Sequence, residues 1–336
     1  MYTDEDLTSA VGQGIFSDTS VQQFRQHVAQ LKNTNLVDEE NFRLITGFND
    51  VFVVIASGLL LGSIAWLGAS FVPWLGALAF SIASWGLAEF FVRQRRMALP
   101  AIGLLLTYLG GMFALPILFN DVGQQHVAES TLVVSGILTG IAARIHWLRF
   151  KVPITVAVGT AAGVLCVVAI CLTALPVAIS FVLPMIFVGG LITFAIAIIW
   201  DGNDRSRQTR QSDVAFWLHL VAAPMLVHPI FATLGILDGV ETVSSSLIVV
   251  TLYILLAIIS IAVDRRAIMV SALIYVIVAF SSLLSNYGML SSSFAITGVC
   301  IGASLLLLSA FWHKSRQGIL KFVPQALQMR LPELKA

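Results

Sequence analysis

The chain has 336 residues, 58% of them hydrophobic and 11% charged, with a formal net charge of +1; its mean hydropathy is +0.91. A soluble domain carries about 25% charged residues, so this composition excludes a soluble globule. The near-zero net charge argues against nucleic acid as a partner, because binding it takes a basic surplus.

The first 49 residues are polar and acidic, without the basic start and apolar stretch of a signal peptide. They are expected to form a cytosolic helical N-terminal domain, residues 1–49. Thr3 can cap a first helix that carries Leu7 and Val11 and ends near Gly14. Ser17 or Asp18 can cap a second, in which Val21, Phe24, Val28 and Leu31 recur at three- and four-residue steps and make one apolar stripe. Asp38 can cap a third, from Glu39 to Ile45, with acids in its first turn where the helix dipole favours them. So short a domain buries little surface alone. Its stripe therefore calls for cover from the neighbouring helices, from the membrane domain or from a protein partner.

Ten apolar runs follow, at 51–70, 73–91, 98–119, 131–148, 153–175, 177–200, 213–234, 244–263, 267–285 and 293–312. Each is close to the about 20 residues that a membrane-spanning helix needs. Their continuous apolar character excludes barrel strands, which alternate over about 10 residues. The fold class is therefore all-α: a polytopic integral membrane protein with ten spans over residues 50–313, and the lipid bilayer as its partner. Residues 314–336 form a tail in which Ile319, Leu320, Phe322, Val323, Leu327 and Met329 are interleaved with Lys321 and Arg330, a pattern for an interfacial amphipathic helix.

Charge placement orients the spans. Under a ten-span count all 19 Lys and Arg fall on one side, in six groups. They lie before the first span, between spans two and three, four and five, six and seven, and eight and nine, and after the tenth. The other side carries Asp121, His126, Glu129, Asp238 and Glu241. The positive-inside rule makes the basic side cytoplasmic and places both termini there. Gly58/Gly62, Gly136/Gly140, Gly159/Gly163 and Gly298/Gly302 are GxxxG pairs, expected at close helix contacts.

Ionisable groups inside spans are functional candidates, because burying them in lipid is unfavourable. Asp213, His219, Glu89 and His228 are the substrate- or proton-site candidates. Asp50 opens the first span, and Glu89 lies four residues before Arg93, on the same helix face. Arg144 and His146 fall near the cytoplasmic end of the fourth span. The seventh run holds the most: Ser212-Asp213 reads as a helix start, with His219, Pro224 and His228 following. Pro224 lacks an N–H and is expected to kink the helix. Nine residues at about 100° each set His219 and His228 on nearly opposite faces, which makes them poor candidates for one shared metal site; each is expected to hydrogen-bond a neighbouring span. No HExxH pair marks a zinc site and no facing histidine pair marks a haem site. Cys166, Cys171 and Cys300 lie in apolar runs and read as small hydrophobes. No cofactor is expected.

Three stretches resemble a bacterial family of inner-membrane proteins, those with the domain of unknown function 2157: Ile45 to Gly68, Leu87 to Pro100 and Arg210 to Phe231. The resemblance implies a bacterial inner membrane and a short helical region leading directly into many spans. It implies no activity, ligand or catalytic residue. The leading functional expectation is a non-enzymatic transporter or permease for a small solute. The alternatives are an intramembrane metal-dependent hydrolase and a scaffold that recruits a partner through its N-terminal helices.

Overall fold

The computed structural model describes residues 4–31, 48–120, 123–124, 126–204, 207, 209–235, 243–286, 293–328 and 331–332. Among these residues the elements are all helical.

Helices α1 (Asp4–Gly12) and α2 (Asp18–Leu31) pack on each other. Ser17 caps α2, its Oγ accepting the Ser20 backbone N–H at 3.1 Å. Gly14 makes the turn at φ 71°, where a side chain would be strained. Val21 is buried, whereas Phe24 on the same stripe stays exposed. The expected third helix, 39–45, and the Thr3 cap lie outside the described residues.

Ten long helices follow. They are α3 (Phe48–Ala69), α4 (Pro73–Ala88), α5 (Ala98–Asn120), α6 (Glu129–Phe150) and α7 (Ile154–Ala174), then α8 (Val182–Asn203), α9 (Arg210–Thr233), α10 (Val243–Val263), α11 (Ala267–Asn286) and α12 (Ser293–Ala310). Pro73 starts α4 after an extended Val72, a position where the missing N–H is harmless. A π turn, Glu89–Gln94, continues α4, and a 3-10 turn, Pro176–Phe181, leads into α8. The chain ends in α13 (Trp312–Leu320), which leaves α12 at 74°, and α14 (Gln325–Gln328). Among the described residues seven helices are long and apolar enough to cross a membrane, or eight if α12 and α13 make one bent span. This architecture fits a polytopic membrane protein.

The side chains are distributed as an apolar solvent requires. Large residues such as Phe52, Leu59, Trp66, Phe71, Val270 and Leu306 face outward, while Ser57, Ser81, Ser84, Ser135, Thr139 and Thr193 face inward. Four of these hydroxyls bond carbonyls of their own helix: Ser81 donates to Ala77 O at 2.9 Å, Ser84 to Phe80 O at 2.7 Å, Thr139 to Ser135 O at 2.7 Å and Thr193 to Gly189 O at 2.8 Å. A soluble monomer seldom exposes a contiguous apolar surface of this extent.

Most successive helices pack on each other, and α9 lies against α7, α8 and α11. In its apolar window 56% of the residues are buried, against 17–39% in the other six spans. It runs through Pro224 and Pro229 as one helix, so the expected kink does not interrupt it. Four connections at one end of the bundle turn through a non-glycine residue with φ 54–60°: Arg96, Lys151, Arg207 and Asp264. That region is rarely adopted by residues with a Cβ, and this end carries the basic groups.

Close helix approach occurs at glycines other than most of the GxxxG pairs. Built onto Gly76, a Cβ would lie 2.5 Å from Ala65 O; on Gly111, it would clash with Ser81 Oγ; on Gly190, it would sit 3.0 Å from the Met225 backbone. Of the GxxxG residues only Gly136 and Gly159 meet a neighbour; Gly58, Gly62, Gly140, Gly163, Gly298 and Gly302 face open space. The motif therefore finds only some of the tight contacts, which follow from where two backbones cross.

Candidate functional site

Three groups of charged residues occupy the basic end of the bundle. The first is buried and centres on Asp201, in the last turn of α8. His219 of α9 donates from Nε2 to Asp201 Oδ2 at 2.9 Å. Arg265, in the α10–α11 turn, grips the same carboxylate with both arms of its fork, Nη2 to Oδ1 at 2.5 Å and Nε to Oδ2 at 3.3 Å. Arg265 also reaches Ser212 O at the start of α9, at 3.3 Å. All three side chains are at most 2% exposed.

This geometry assigns the histidine tautomer. An ionised carboxylate only accepts, so the Nε2 that faces it carries hydrogen. Nδ1 is buried and has no hydrogen-bond partner among the described residues. In the neutral ring it is an open lone pair, able to accept a proton or a hydrogen bond. With His219 neutral, one carboxylate and one guanidinium balance, and the cluster adds no net charge to the interior.

The second group adjoins the first in sequence. Asp264, at φ 60°, accepts from Trp312 Nε1 of α13 at 2.6 Å. Its Oδ2 pairs with Arg207 at 2.9 Å and, more distantly, with Arg316 at 3.6 Å. Arg207 also donates to Asp264 O at 3.0 Å, and Arg316 donates to Pro332 O at 2.6 Å. The dipeptide Asp264-Arg265 thus joins both groups: one side chain holds α8, α9 and His219, and the other holds the α8–α9 connection and the chain's end. The tail packs accordingly. Arg316, Leu320 and Leu331 are buried, with Leu320 and Leu331 set against Val263, while Phe322 is exposed.

The third group lies at the surface. Glu89 accepts from Arg149 Nε at 2.7 Å and Nη2 at 3.1 Å, and from Arg93 at 3.3 Å. The spacing predicts the Arg93 contact; Arg149, 60 residues away, is brought by the packing of α6 beside α4 and α5.

The four sequence candidates do not converge. His219 belongs to the buried group and Glu89 to the surface group. Asp213 is half-buried in the first turn of α9, where Thr209 is the cap: its Oγ1 accepts Gln211 N–H at 3.3 Å. The helix thus starts one turn before Ser212-Asp213, because Asp204 Oδ2 binds Thr209 through N–H and Oγ1 at 2.8 and 2.7 Å. His228 is itself exposed and its Nδ1 lies 2.5 Å from Tyr275 Oη of α11. The two histidines therefore bond different helices, α8 and α11.

Asp201, Asp264 and Arg265 carry the buried network, and span-by-span reasoning passes over them because each sits at a span's edge. One signal was present: Asp201, Asp204 and Asp264 are acids placed among arginine-rich connections, where a buried pair has a ready partner. His146 is a separate case. It is buried, with Nδ1 3.2 Å from Thr155 Oγ1, and packs against the rings of Trp85, Tyr108 and Phe150. Among the described residues no three His, Cys, Asp or Glu gather where a metal ion could be held. No protein-family model, curated protein or solved structure matches this chain.

Proposed function

We propose that this chain is a ten-span transporter of a bacterial inner membrane, with both termini in the cytoplasm, that moves a small solute with a proton. The single observation supporting it is the buried Asp201–His219–Arg265 group, gathered around α9 with His219 Nδ1 open. A protonatable ring held by a carboxylate inside a span is the arrangement of proton relays. Asp201 and Arg265 fix the ring, and Nδ1 takes and returns the proton. Asp213 remains a candidate at the mouth of α9, and Glu89 and His228 are secondary candidates. The ten-span count rests on α10, α11 and α12, which run 21, 20 and 18 residues, and on the basic residues clustered at one end. Membership of the domain of unknown function 2157 family is proposed on the three stretches that resemble it.

Proteoliposomes that enclose a pH-sensitive dye test the reading. After an external acid pulse, vesicles with the protein acidify faster than protein-free vesicles, and His219→Gln and Asp201→Asn remove the difference. Wild-type vesicles no faster than protein-free ones overturn it, as do variants that keep their thermal midpoint and full flux.

A second reading is a scaffold with a protein partner at the N-terminal helices. It is supported by Ile15, Phe16 and Phe24, which are 64%, 50% and 55% exposed. Deleting residues 1–40 then abolishes partner capture while the spans still insert.

A further inference from the structure

A half-open cleft of about 160 Å³ lies between α10, α11 and α12 and ends at α13. Its walls are almost wholly apolar and include Tyr253, Leu273, Leu305 and Ser309; Arg266 and Trp312 close its basic end. The mouth is built. Trp312 is fixed by its hydrogen bond to Asp264, and the Arg266 guanidinium stacks 5.0 Å above its ring. One step along, Lys314 lies 5.8 Å over the ring of Phe311. Arg266 is exposed and has no acidic partner among the described residues, unlike Arg207, Arg265 and Arg316 beside it.

We propose that this cleft holds one anionic phospholipid of the inner leaflet, with an acyl chain between α11 and α12 and the headgroup phosphate on Arg266. Three observations select this occupant. The cleft is smaller than the about 300–1,000 Å³ of sites for compact solutes, so it suits a narrow linear chain. Leu273 lies seven residues beyond Arg266 and Leu305 seven before Trp312, so the walls rise roughly 10 Å from the mouth. That stays within the about 15 Å of one leaflet. The uncompensated positive charge sits at the end where lipid phosphates lie and complements an anionic headgroup. Arg266 directly follows Asp264-Arg265, so a lipid held here bears on the turn that grips Asp201 and the C-terminal tail.

The inference rests on the reading that α10–α12 span the bilayer; it does not require transport. The test is native mass spectrometry of the full chain in detergent, titrated with phosphatidylglycerol, with phosphatidylcholine of the same acyl chains, and with inorganic phosphate. Phosphatidylglycerol binds more tightly than phosphatidylcholine, and Arg266→Gln weakens it about fivefold. Leu273→Trp, which fills the cleft, weakens both lipids; Ser309→Phe fills it from α12 and serves if the first variant fails to fold. Equal binding of the two lipids, an unaffected Arg266→Gln, or cleft-filled variants that bind normally overturn the proposal. Displacement of the lipid by millimolar phosphate would instead make Arg266 a site for the free anion, and also overturns it. A chain that carbonate washing strips from membranes loses the spanning reading and this site together; a chain that stays but shows no lipid preference loses only the site.

Discussion

At the scale of single residues, the decisive contrast is between Asp201 and Glu89. Both carboxylates bind two cationic or histidine side chains, yet one is buried and the other is at the surface. Removing one member of a buried charge pair leaves the other uncompensated in a medium of low polarity. Asp201→Ala is therefore expected to destabilise the protein by about 3–5 kcal/mol, read as a lower thermal midpoint in detergent. Glu89→Gln is expected to leave the midpoint within experimental error, because water and salt screen an exposed pair. Equal effects of the two changes would mean that the Asp201 group is not buried as described. Sequence spacing predicts the Glu89–Arg93 contact, since four residues make one helical turn. It cannot predict that Arg265 reaches back 64 residues to Asp201, because that distance closes only when α8, α9 and the α10–α11 turn meet.

At the scale of helices, the apolar runs were legible to within about a turn or two. The run expected at 98–119 is α5 at 98–120, and that at 267–285 is α11 at 267–286. Hydrophobic length is a local property, and a helix is how a backbone satisfies its own hydrogen bonds without water. Which face of each helix meets a neighbour is not local, and the glycines show it. Gly76→Ala is expected to destabilise by about 1–3 kcal/mol through overpacking against α3. Gly62→Ala, on an open face, is expected to stabilise by up to about 1 kcal/mol, since Ala is the better helix former. Unfolding of the two variants in detergent checks the pair, and a destabilised Gly62→Ala would place a helix over that face. The tail follows the same logic. Its amphipathic pattern shows that one side seeks cover, and the bundle supplies part of it at Val263, while Phe322 stays exposed.

For the whole molecule, the described basic residues of the helix connections gather at one end, and four connections with left-handed non-glycine residues lie there too. On the ten-span reading proposed above, the two termini share one compartment, and the charge bias would make it the cytoplasm. Reporter domains fused to the N-terminus and to the C-terminus are therefore expected to report the same, cytoplasmic, side. Opposite readings would require an odd number of spans, and two external readings would reverse the orientation.

The order of residues by itself determined that this chain is helical and made for an apolar surrounding, because both follow from hydropathy summed over windows of one span's length. It also singled out the seventh run as unusual, and that run is α9, the most buried of the seven long apolar helices. The partner of His219 was settled only by tertiary structure. The geometry of helix crossing carries Asp201 and Arg265 to it from other elements, and turns the side chains of Glu89 and His228 to other neighbours.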